Sequence, residues 1–103
     1  MELAGHPVDD PLPEEHARYF SGLDDAVVVA VDTLSASVPA RAQPDAVVEA
    51  RRRMREAAQG ARPRRAPLDV RRDGSKLVVI DGNATYAVVV QEGWHTVPVR
   101  IRS

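Results

Sequence analysis

The stretch Val78–Val90, VVIDGNATYAVVV, constrains the fold more than any other part of the chain. Two valine-rich runs flank Asp81-Gly82-Asn83, and the segment admits two architectures. In one, Asp81-Gly82 is the type I′ turn of a β-hairpin, since both central residues of that turn need positive φ. In the other, a strand ends at Asp81, Gly82 turns the chain, and a helix starts at once. The helical reading puts Ala84, Ala87, Val88 and Gln91 on one face and gives Asn83 a side chain able to cap the first amides. It also assigns Gly93 the left-handed position after the helix and Trp94 the apolar position that folds back on the last turn. Three consecutive valines weigh toward strand, so propensity alone leaves both readings open. Their chemistry differs, because only a helix start leaves N–H groups unpaired and aimed at an anion.

The other segments fit around this one. A chain of 103 residues holds one modest core. Residues 1–25 read as an N-terminal extension: an extended lead punctuated by Pro7, Pro11 and Pro13, then a short helix in PEEHARYFSG with Glu14 and Glu15 at its positive end. Residues 26–103 read as the domain proper. Its first strand is AVVVAV, Ala26–Val31, apolar on both faces and therefore expected to be central and covered. Pro44–Gly60 is the plainest helix, with proline at the entrance, glycine at the exit, and Val47, Ala50, Met54, Ala57 and Ala58 on one stripe. PLDVRR, a turn at Gly74, KLVVI and finally HTVPVRI supply further strands, the last expected at a sheet edge or with an irregularity because of Pro98.

Composition removes several classes of function. There is no cysteine, hence no disulfide framework, thiolate metal site or thiol nucleophile. No apolar run has the length of a membrane span, and the acidic, proline-rich start lacks the pattern of a secretory signal, so a cytoplasmic location is expected. Charge is lopsided within a net −1. Residues 1–50 carry ten acids against Arg18 and Arg41, for −8, whereas residues 51–103 carry five acids against twelve basic residues, for +7.

From Ala26 to Ile101 the order of elements resembles the ParB/sulfiredoxin-like family. The resemblance rests on a VVVAV strand, a Pro39-x-Arg41 loop, an amphipathic helix, PLDV, DGSKLVVIDGN, an alanine/valine helix, and GWHTVPVRI. It implies an α/β (α+β) domain with a small mixed sheet and flanking helices, in which the glycine turn opens a helix. It also implies that the turn receives a phosphate group or a nucleotide, ATP or CTP with Mg²⁺, at Gly82, Asn83, Ala84 and Thr85, helped by the loop arginine Arg41. The motif departs from the family's own. Sulfiredoxins carry Gly-Cys-His-Arg here, and CTP-binding ParB domains a glycine followed by an acid and two arginines. Without the cysteine, reduction of a sulfinic acid is excluded, and without a following helix-turn-helix or dimerisation segment, a partition clamp is not expected.

Each candidate has a structural alternative. Asn83 contacts phosphate or caps the helix, Thr85 donates to an anion or fills a helix start, and Arg41 reaches the turn or is merely solvated. Asp81 holds a metal beside phosphate or simply forms the turn. No catalytic residue is identified, and whether the chain is an enzyme stays open: His95 is a candidate base or an ordinary strand histidine, and the histidines lack metal-ligand spacing. Two other functions compete with ligand binding. One is a non-catalytic module that docks a protein partner, and the other is nucleic-acid binding through the arginines of residues 51–72. No aromatics interleave with those arginines, so a base-stacking platform is not expected.

Overall fold

The structure, a computed structural model, describes residues 12–102. The leading residues 1–11, with Pro7 and Pro11, lie outside that range. The order of elements is α1 (Glu14–Ala17), β1 (Val27–Ala30), β2 (Leu34–Ala36), α2 (Pro44–Ala58), β3 (Leu68–Asp73), β4 (Lys76–Asp81), α3 (Asn83–Gln91) and β5 (Thr96–Arg102). Five strands make one mixed sheet in the order β1-β5-β3-β4-β2. β1 is antiparallel to β5 and β4 to β3, while β5 is parallel to β3 and β2 to β4.

Chain length forces this sheet to curl. β1 and β2 occupy its two outer edges, yet only the single 3₁₀ turn Val31–Thr33 separates Ala30 from Leu34. Four residues reach at most about 14 Å, whereas the outer strands of a flat five-stranded sheet stand roughly 19 Å apart. The edges therefore bend toward each other. The Tyr86 hydroxyl, from α3, donates to the Leu34 carbonyl at 3.1 Å and occupies a backbone acceptor of the outer strand.

One face of the sheet carries Val29, Val97, Val99, Leu68, Val70, Leu77, Val79 and Leu34, all buried. α2 and α3 pack on that face. α2 buries Val47, Ala50, Met54 and Ala57 of the stripe its 3.6-residue spacing predicts, and leaves Ala58 half-buried at its end. α3 buries Thr85, Ala87, Val88 and Val89, more than one face of a helix. The expected face of Ala84, Ala87, Val88 and Gln91 is thus only half right, and Gln91 is exposed. Arg65 donates to the Thr85 hydroxyl on that further side, and the segment after α1 holds Arg65 in turn. Phe20 is 1% exposed, and its backbone runs beside Arg65, with Ser21 N–H donating to Arg65 O at 2.8 Å and Arg65 N–H to Tyr19 O at 2.9 Å.

Two strand expectations fail. β1 is an edge strand, not a central one: among the described residues it pairs with β5 alone. Val29 faces the helices and is fully buried, whereas Val28 and Ala30 on the other face are only partly covered, so continuous β-branching marks curvature here and not a doubly covered strand. β5, conversely, is internal despite Pro98. Pro98 sits one residue before the parallel ladder starts at Leu68↔Val99, near the strand's beginning, where a missing donor is tolerated. No helix among the described residues is long and apolar enough to cross a membrane.

Candidate functional site

The opening ambiguity resolves as strand, turn and helix. β4 ends at Asp81, Gly82 takes φ 99° and ψ 21°, and α3 begins at Asn83. Only glycine fits there, because a Cβ would stand 2.7 Å from Leu68 Cδ2 in addition to the left-handed backbone. The far end of α3 is a Schellman motif: Trp94 N–H donates to Val89 O at 3.1 Å and Gly93 N–H to Val90 O at 3.1 Å, with Gly93 at φ 73°. At the near end, the first bond within the helix runs from Tyr86 N–H to Gly82 O at 2.8 Å. The amides of Asn83, Ala84 and Thr85 thus precede any helical acceptor, and no side chain caps them.

Of these residues Thr85 lines a hollow of about 300 Å³, together with Arg64, Arg65, Pro67, Asp81 and Gly82, among others. Arg65 is its central charge. Its guanidinium Nη2 donates to Thr85 Oγ1 at 3.0 Å, and Thr85 is 1% exposed. Burial pushes the Arg65 guanidinium below its usual pKa, the charge of Arg53 adds to that effect, and Asp81 opposes it. Arg65 forms no salt bridge among the described residues, so a half-buried cation is held by a neutral hydroxyl beside the positive end of a helix. Such an arrangement favours a negatively charged occupant.

The expected site residues separate. Gly82 and Thr85 line the hollow. Asn83 turns away and neither caps α3 nor points into the hollow. Its Oδ1 accepts from the amides of Ser37 (3.0 Å) and Val38 (3.2 Å), while its Nδ2 donates to Ser37 Oγ (2.9 Å) and Val79 O (3.4 Å). It ties the loop after β2 to the β4–α3 turn. Ala84 packs against the core. Arg41 lies in the 3₁₀ turn Ala40–Ala42, exposed, and is not among the residues lining the hollow.

Arg65 is what inspection of the sequence overlooked, although a signal for it existed. β3 and β4 form a hairpin; counting back from its turn brings Asp69 to Ile80, and a register shift between Asp69 and Val70 moves the pairing on to Asp81. Residues just before β3 must then lie beside Gly82, which is where Arg64 and Arg65 stand.

Most arginines of α2 and of the turn after it are engaged by carboxylates. Arg52 pairs with Glu49 and Glu56, Arg53 with Glu49, Arg62 with Glu56, and Arg51 with Glu92 and Gln91. Hydrogen bonds from Arg52 and Arg62 hold the carboxyls of Glu49 and Glu56 below the usual range. Arg55, Arg64 and Arg71 have no such partner among the described residues. No group of three or more His, Asp or Glu among those residues could hold a metal ion. His95 is exposed and lines a second hollow, about 560 Å³, with Val31, Tyr86, Val90 and Trp94. An apolar hollow of about 200 Å³ adjoins it through Tyr86 and Val90.

No protein-family model matches the chain, and no curated protein matches it. Among solved structures, the chain is similar to sulfiredoxin from Arabidopsis thaliana, with a TM-score of 0.55 and 17% sequence identity, covering 76% of this chain and 84% of that one. At that identity the likeness is one of fold: the mixed α+β architecture with its curled five-stranded sheet is sulfiredoxin-like.

Proposed function

We propose that the hollow at the start of α3 binds the phosphate group of a small phosphorylated ligand, with a nucleotide such as ATP or CTP the leading candidate. The observation that carries this reading is Arg65: a half-buried guanidinium that forms no salt bridge among the described residues and donates to Thr85 in the first turn of α3. Arg65 and the first amides would hold phosphate oxygens, and Arg64 at the rim would add charge. Asp81 is the one carboxylate lining the hollow, and a Mg²⁺ accompanying a nucleotide would find its protein ligand there. What the lining offers is a cation beside a helix start, so the reading is of binding.

The test is a thermal-shift panel of pyrophosphate, ATP, CTP and GTP, each with and without Mg²⁺, on wild type and Arg65→Gln. The expected result is a rise in Tm for at least one phosphate-bearing ligand in wild type and none in the variant. A flat response of wild type to the whole panel would sink the proposal.

A second reading, a protein-docking module, draws on the adjoining apolar hollows around Tyr86, where Val38 and Val90 are 42% and 48% exposed. Co-purification of one stoichiometric partner, lost on Val90→Lys, together with indifference to phosphates, would favour it.

A further inference from the structure

α1 is only one turn long and buries no residue of its own. What holds it is a ring stack. The His16 imidazole lies on the Trp94 indole with centroids 3.7 Å apart and planes 4° from parallel. His16 Nδ1 is buried and has no hydrogen-bond partner among the described residues. The neutral tautomer with its proton on Nε2 leaves only a bare lone pair in that position, whereas the cation puts an N–H there with no acceptor.

We propose that the His16–Trp94 stack makes α1 a pH-sensitive latch, closed while the imidazole is neutral and released when a proton enters at Nδ1. The charged groups facing His16 are Glu15 on α1 itself and Glu92 at the end of α3, the latter ion-paired to Arg51 of α2 at 3.4 Å. Both carboxylates favour the cation, but burial outweighs them and lowers the His16 pKa. The sign follows. Above the ordinary value of 6.5 the imidazole is neutral whether α1 is docked or free, and docking has its full strength. Below 6.5 the free segment takes up a proton that the docked one refuses, so docking weakens as pH falls. The release stops at Tyr19, because Phe20 is buried and Tyr19 and Ser21 are hydrogen-bonded to Arg65. Its effect is to uncover Trp94, which is 6% exposed with the latch closed.

Trp94 is the single tryptophan, so its accessibility can be read directly. Acrylamide quenching of the full chain is followed from about pH 8 to about pH 5, beside His16→Phe, which keeps a stacking ring that cannot protonate. The quenching constant of wild type is expected to rise as pH falls below 6.5, that of His16→Phe to stay flat, and that of His95→Gln to follow wild type. A flat wild-type curve, a rise shared by His16→Phe, or a rise abolished by His95→Gln would overturn the latch. Should His16→Phe fail to fold, the NMR titration of His16 in wild type decides. An apparent pKa below 6.5 supports the latch, and a value at or above it means that the carboxylates and the indole face retain the cation, which overturns it.

Discussion

At the scale of single residues, two polar side chains near Gly82 do opposite jobs. Asn83 spends all four of its hydrogen-bonding positions on Ser37, Val38 and Val79. Replacing it by alanine leaves two loop amides without their acceptor, so Asn83→Ala is expected to cost roughly 1–3 kcal/mol in urea melts, while the folded variant keeps any response to phosphate ligands. Arg65 makes one hydrogen bond, to a buried hydroxyl. Arg65→Gln is expected to change stability little, since the glutamine amide can still donate toward Thr85, but to weaken a phosphate ligand roughly 10- to 100-fold by calorimetry, the worth of one charge-assisted hydrogen bond. If Asn83→Ala abolished ligand response and Arg65→Gln spared it, the site would lie on the Ser37 side of the turn.

At the scale of elements, α3 is framed by two left-handed glycines whose substitutions should differ. Gly82 has φ 99° and meets Leu68, whereas Gly93 has φ 73° and faces open space. Gly93→Ala carries the backbone penalty alone, about 1 kcal/mol, and Gly82→Ala adds displacement of Leu68, for about 2–3 kcal/mol or more. Urea midpoints at unchanged slope would measure both, and equal losses would contradict the packing described for Gly82. These elements also show what could be read in the sequence. The helix exit was legible because Gly93-Trp94 is a local motif whose hydrogen bonds span six residues. α2 was legible because its stripe repeats over a long helix. The place of β1 and β5 was not, since the order of strands is set by pairings between distant residues, such as Val28 with Pro98 and Leu68 with Val99. A valine run looks the same at a curled edge as in a covered centre, and a proline near a strand's start does not exclude an internal strand. The hollow was half legible: the glycine turn is local, but Arg65 reaches it only through the β3–β4 hairpin, and Asn83 is drawn away by a loop 46 residues distant.

At the scale of the whole molecule, the segment from α1 to Phe20 joins the two ends of α3. Trp94, after its last turn, stacks on His16, and Phe20 meets Trp94 edge-on at 6.1 Å while bridging in parallel to Arg65, which reaches the helix start. Phe20 therefore has two roles that separate experimentally. As a core residue it resembles Met54, since both are nearly inaccessible to solvent, and truncation to alanine should cost about 3–5 kcal/mol for Phe20 and about 2–5 kcal/mol for Met54. As the neighbour of Arg65 it helps to hold the cation near Thr85, whereas Met54 sits in α2 and does not line the hollow. Under conditions where both variants remain folded, Phe20→Ala should weaken phosphate binding in calorimetry and Met54→Ala should leave it near wild type. Equal affinities would mean that the backbone bonds from Tyr19 and Ser21 suffice to place Arg65, and that the segment contributes to the site through stability alone.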